Sequence, residues 1–88
     1  MKSNNTIAAY HILGSEKGAL KLNTNKMYHW NIPKRLREDP IHQGYIVLVL
    51  TRRGKRPVLV MDVFREDYEE KKKEYKKIVK LIEKSPKL

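Results

Sequence analysis

The sequence predicts an all-β domain, and three observations carry that reading. Two apolar arms rich in β-branched residues, Tyr45–Leu50 and Val58–Phe64, flank a basic, glycine-containing turn, Thr51–Pro57, as a β-hairpin does. Upstream, further strand-like runs are separated by Gly14-Ser15, Asn23-Thr24-Asn25 and Pro33, residues that turn or stop strands. At 88 residues the chain holds one core and one domain, and with no cysteine it has no disulfide to support that core.

Taken in order, residues 1–5 are polar and read as a flexible start. Thr6–Leu13 reads as a first strand and Ala19–Leu22 as a short second one. Lys26–Ile32 alternates Tyr28, Trp30 and Ile32 against Met27, His29 and Asn31, and Pro33 ends it. Lys34–Asp39 is a charged loop or helical turn closed by Pro40. The hairpin at 45–64 is the centre of the chain. A two-residue loop at Gly54-Lys55 would pair Arg53 with Arg56, Val49 with Val60 and Tyr45 with Phe64. One face then carries Ile46, Leu48, Leu50, Leu59, Met61 and Val63 and reads as the core. The other carries Tyr45, Val47, Val49, Val58, Val60 and Phe64, interrupted by Asp62, and needs a partial cover. In Arg65–Leu88, Tyr68, Tyr75, Ile78, Val79 and Ile82 fall on one helical face, which favours a helix over 67–84. Ile78–Ile82 is equally a β-branched strand, and periodicity leaves both open. Residues 85–88 read as a flexible tail.

Charge narrows the function. Twenty lysines and arginines face ten acids, a formal net charge of +10, so polyanions are the expected partners. The excess concentrates in Lys34, Arg35 and Arg37 and in Arg52, Arg53, Lys55 and Arg56. Arginine's planar fork suits phosphate. The rings that bases would stack on are Tyr28, Trp30, Tyr45 and Phe64, each of which core packing would also explain. No apolar run approaches the ~18 residues of a membrane span, and the N-terminus lacks a signal peptide's apolar core. A cytoplasmic protein is expected.

Little suggests catalysis. His11, His29 and His42 have no metal-ligand spacing with a second His or Cys. There is no phosphate loop, no nucleophile elbow and no pair of catalytic carboxylates. The reading is a non-enzyme with no cofactor and no metal.

The motifs from Tyr28 to Val63 resemble a known domain. Tyr28-His29-Trp30-Asn31-Ile32-Pro33, Ile41 to Gly44, Val47-Leu48-Val49, the basic turn Arg52–Arg56 and the strand Val58–Val63 are similar, in that order, to the N-terminal domain of the primosomal helicase PriA. That family domain is a small β-barrel that binds the 3′ end of a DNA strand. The likeness covers about residues 26–84. It implies a partly open antiparallel barrel with a helical turn near 67–73 and a closing strand at 76–83, through Lys77-Ile78-Val79-Lys80-Leu81-Ile82. It adds His29 to the candidate DNA contacts. There the family has an aspartate that touches the terminal 3′-hydroxyl, so specificity for ends does not carry over. The chain also resembles free-standing small proteins of Gram-positive bacteria and their mobile elements. Two functions are therefore expected in order: binding of single- or double-stranded nucleic acid with little sequence preference, or docking on a protein of a nucleoprotein machine. Either a monomer or a homodimer fits.

Overall fold

The alternating runs form strands, and the turn chemistry decides where they meet. The computed structural model describes residues 4–37, 40–66 and 75–84. Five strands, β1 (Thr6–Glu16), β2 (Ala19–Asn31), β3 (Ile46–Thr51), β4 (Gly54–Phe64) and β5 (Ile78–Glu83), build one antiparallel sheet in the order β2-β1-β4-β3-β5. A 3₁₀ turn at Lys34–Leu36 is the one helical element among the described residues. The closing strand expected at 76–83 is present as β5. The helical turn expected near 67–73 and the flexible tail at 85–88 lie outside the described residues.

The sheet curls without closing. Its two outer strands touch at one point, where Asn31 and Lys77 form a parallel bridge and the Asn31 amide donates to the Lys76 carbonyl at 2.9 Å. Asn5 secures the same end. Its backbone carbonyl accepts from the Ile32 amide and the Asn31 side chain, and its side-chain oxygen accepts from the Glu66 amide at 2.8 Å. Asn5 is buried, so the start expected to be flexible over 1–5 is fastened at its fifth residue.

Inside lie Ile7, Ala9, Trp30, Ile32, Ile41, Val47, Val49, Val58, Val60 and Ile78. Leu36, Tyr45, Val63 and Leu81 pack against them. This corrects the expected core. The valine face of the hairpin points inward. Ile46, Leu48, Leu50, Leu59 and Met61 lie on the outer face, where Ile46 is buried as expected, Leu48, Leu59 and Met61 are half-buried and Leu50 is 44 % exposed. Both faces of the hairpin are apolar, so alternation separates the two sets and the direction of the curl selects the valine face as the inside. Near Met61 the alternation also breaks. Ala8 pairs with Asp62 but Ala9 pairs with Val60, so Met61 is the extra residue of a bulge. Beyond it the faces exchange, which puts Asp62 outside and turns Val63 inward.

The hairpin register is also corrected. Thr51 pairs with Gly54, Val49 with Arg56 and Val47 with Val58. The turn is Arg52-Arg53, not Gly54-Lys55. Both arginines keep negative φ, which rules out the primed turns, and Gly54 takes the left-handed step at φ +99°. Thr51 fixes the reversal: its hydroxyl donates to the Gly54 carbonyl at 2.7 Å and accepts from the Arg53 amide at 3.1 Å.

The expected second and third strands are one, β2. Residues 24–27 bulge out where its pairing jumps from Ala9–Tyr28 to His11–Asn23. At the far end Lys17 (φ 52°) and Gly18 (φ 80°) make a type I′ turn, beyond where Thr6–Leu13 was expected to stop. β1 pairs with β4 only as far as His11, so residues 12–22 stand out as a two-stranded ribbon. The molecule is accordingly elongated, 43 × 26 × 19 Å. No helix among the described residues is long and apolar enough to cross a membrane.

Candidate nucleic-acid interface

The hairpin turn sets the first group of cations. Arg52 and Arg53 occupy the turn itself and are exposed. Lys55 and Arg56 follow on β4 and alternate: Lys55, opposite Leu50, points outward, whereas Arg56, opposite Val49, shares the inner face with Val58. Where the curl ends, that inner face opens to solvent.

The rings divide between two faces. Trp30 is only 4 % exposed, and its indole Nε1 donates to the Leu50 carbonyl at 3.2 Å. It is a core residue that ties β2 to the base of the turn, so the stacking role open to it in the sequence is removed. Tyr28, two residues back on the same face, is 39 % exposed. His11 stands edge-on to both, with centroids 5.2 Å from Tyr28 and 5.4 Å from Trp30. The Lys26 ammonium sits 4.9 Å from the Tyr28 ring centre. Burial lowers the His11 pKa from its ordinary 6.5, because the charged imidazolium is desolvated there. His11 pairs with Val58, and Arg56 lies one inner-face position further along β4. Arg56 and the group of His11, Tyr28 and Lys26 therefore lie on one inner face at the open end, with the buried Val58 between them.

His29 points the other way. Its ring stacks on Tyr75 with centroids 5.6 Å apart and meets Phe64 edge-on at 5.8 Å. This group lies over Thr6 and Ala8 on the outer face. Tyr28 and His29 are adjacent in sequence but belong to opposite surfaces. Tyr45 is half-buried against the core and meets His42 edge-on at 5.5 Å.

The cations at 34–37 are partly occupied with holding the fold. The Arg35 guanidinium donates to the Val79 carbonyl on the outer strand β5, and Arg37 Nε donates to the Ile32 carbonyl at 2.9 Å. Lys34 is exposed beside them. Val79 lies between the partners of Leu48 and Val49, so Arg35 stands across β5, about 10 Å back along the strands from the turn. Between the two groups come Lys76 and Lys77. The Lys77 carbonyl accepts from the Leu50 amide at 3.1 Å. In the sequence these two lysines are lost in a mixed-charge run, and only strand pairing reveals their position. His11 and Lys26 were missed as well, because each needs Tyr28 as a neighbour to acquire meaning. Among the described residues, no three His, Asp or Glu side chains gather as a metal-binding group.

No match was found among curated proteins or among solved structures. A family model does match, over residues 2–84, and the chain belongs to that family, DUF5839, a family of unknown function.

Proposed function

We propose that this chain is a non-catalytic cytoplasmic module that binds nucleic acid with little sequence preference. The observation that carries the reading is the inner face that holds Arg56, His11, Tyr28 and Lys26 beside the exposed Arg52-Arg53 turn. It places phosphate-seeking cations at both ends of a half-exposed ring, the two ingredients that sequence-tolerant binding needs. Lys34, Lys76 and Lys77 extend the basic surface along the same end. Phosphate contacts would supply the affinity, and they carry no sequence information of their own.

Fluorescence anisotropy with labelled single- and double-stranded oligonucleotides at low salt tests it. Wild-type protein binds, and the Arg53→Ala/Arg56→Ala variant binds more weakly with nearly unchanged thermal stability, because both side chains are exposed and contribute little to folding. Absence of binding by the wild type at low salt would end the proposal. A second reading, docking on a protein of a nucleoprotein machine, is favoured by the apolar convex face, with Leu50 and Ile82 about half-exposed. It predicts no oligonucleotide binding in the same experiment.

A further inference from the structure

The β1–β2 ribbon and the β3–β4 hairpin leave the barrel at the same end. β1 and β4 are antiparallel and stay paired only as far as His11 and Val58. Beyond that pair β1 runs on to Glu16, and β4 reaches back to Gly54. Two arms therefore project past one cross-strand row, Val58–His11–Asn23. Alternation fixes what each arm shows on the inner face. On the hairpin it is Arg56, one same-face position beyond Val58. On the ribbon it is Lys21, one same-face position beyond Asn23. Both are exposed. They stand on either side of β1, two strand spacings apart, roughly 10 Å.

The ribbon's faces are sorted. Ile12 pairs with Leu22 and Ser15 with Leu20 on the outer face, whereas Lys21 pairs with Gly14 on the inner one. A Cβ at Gly14 would meet none of the described residues within 4 Å, so the surface beside Lys21 is open. Among the described residues, the carboxylates lie elsewhere. Glu16 is at the ribbon tip beside Lys17, Asp62 is on the outer face, Glu66 bonds Asn5 through its amide, and Glu83 sits opposite Ile46. No described acid stands between Arg56 and Lys21.

We propose that the ribbon is the second arm of the nucleic-acid site, with Lys21 and Asn23 continuing the phosphate contacts that Arg53 and Arg56 begin. This rests on the nucleic-acid reading above and adds an extent to it: the sugar-phosphate backbone crosses β1 from hairpin to ribbon. Charge selects the occupant. Two cation groups roughly 10 Å apart, with no described acid between them, suit a chain of repeated phosphates, whereas a single small anion reaches only one of them. The ribbon is free for this task, since none of residues 13–21 belongs to the core cluster.

Fluorescence anisotropy across a salt series, with labelled single- and double-stranded oligonucleotides of equal length, tests the proposal on three variants. Lys21→Ala removes a cation from the ribbon's inner face. Lys80→Ala removes one from the outer face, opposite Leu48, and controls for net charge. In the third variant an Asn-Gly turn joins Ile12 to its partner Leu22 in place of residues 13–21. Its β-sheet circular dichroism should be retained, because the core cluster is intact. Lys21→Ala should flatten the slope of log K against log salt by about 0.7–0.9, the share of one phosphate contact. The shortened ribbon should flatten it at least as much, and Lys80→Ala should leave it unchanged. A larger loss on the single strand or on the duplex names the backbone that crosses both arms. Equal losses at Lys21 and Lys80, or an unchanged slope in both ribbon variants, would overturn the ribbon's part and leave the hairpin's standing. Wild-type protein that binds neither oligonucleotide would overturn both.

Discussion

Val49, Val58 and Val60 are fully buried, whereas Leu48 and Leu59, their sequence neighbours, are half-buried on the outside. Alternation along the hairpin separates these two sets without saying which is inside. Charge points the wrong way: the valine set ends at Arg56, and Asp62 falls into it until the Met61 bulge moves it out. Curvature decides, and curvature is set by β1 and β5, far off in sequence. Ile7→Ala should therefore cost roughly 2–5 kcal/mol in denaturant unfolding, through lost transfer energy and a cavity. Leu48→Ala should cost about 1 kcal/mol, as suits half-burial. A larger loss at Leu48 than at Ile7 would contradict the core described here. His11 adds a pH dependence. Its folded pKa is lowered below the unfolded 6.5, so the unfolded chain takes up its proton first as pH falls. The stability is present above pH 6.5 and is lost as pH drops through the lowered folded value. Between pH 7.5 and pH 5, wild-type Tm should fall further than that of His11→Gln; equal falls would remove the effect.

At the scale of elements, the strands were legible and their joints were not. The β-branched runs at 46–51, 58–64 and 78–82 all lie in strands, as expected. β5 is the instructive case, because helical periodicity and strand propensity compete over Ile78–Ile82, and pairing of Val49 with Ile78 settles it through tertiary contacts. The hairpin register was missed because glycine was expected within the loop, while Thr51 holds two arginines there and leaves glycine the following position. In the β1–β2 ribbon, Lys17 occupies the left-handed region at φ 52°, which side chains with a Cβ resist. Lys17→Asn creates the preferred Asn-Gly pair for this turn and should stabilise by about 0.5–1 kcal/mol. At low protein concentration that raises Tm by several degrees for a domain of this size. A lower Tm would mean that the turn is not type I′.

The whole molecule assembles its basic surface from distant parts. Arg52 and Arg53 come from the hairpin turn, Lys34 from the segment after β2, and Lys76 and Lys77 from the approach to β5. The Asn31–Lys77 bridge and the Trp30 indole bond to Leu50 bring these together. In sequence, the clusters at 34–37 and 52–56 were visible as charge. That Arg35 and Arg37 hold backbone carbonyls, and that Lys76 and Lys77 lie between the clusters, depends on the curl of the sheet. The open inner face at Tyr28 likewise depends on where β1 leaves β4. The measurement that tests the central claim most directly is the salt dependence of oligonucleotide affinity. With about four cations on phosphates, the slope of log K against log salt should be near −3 to −4, and Kd about 10⁻⁴–10⁻⁶ M at physiological salt. Arg53→Ala/Arg56→Ala should flatten that slope by about one to two units. A slope near zero, or one that the double variant leaves unchanged, would contradict phosphate recognition by this end of the barrel.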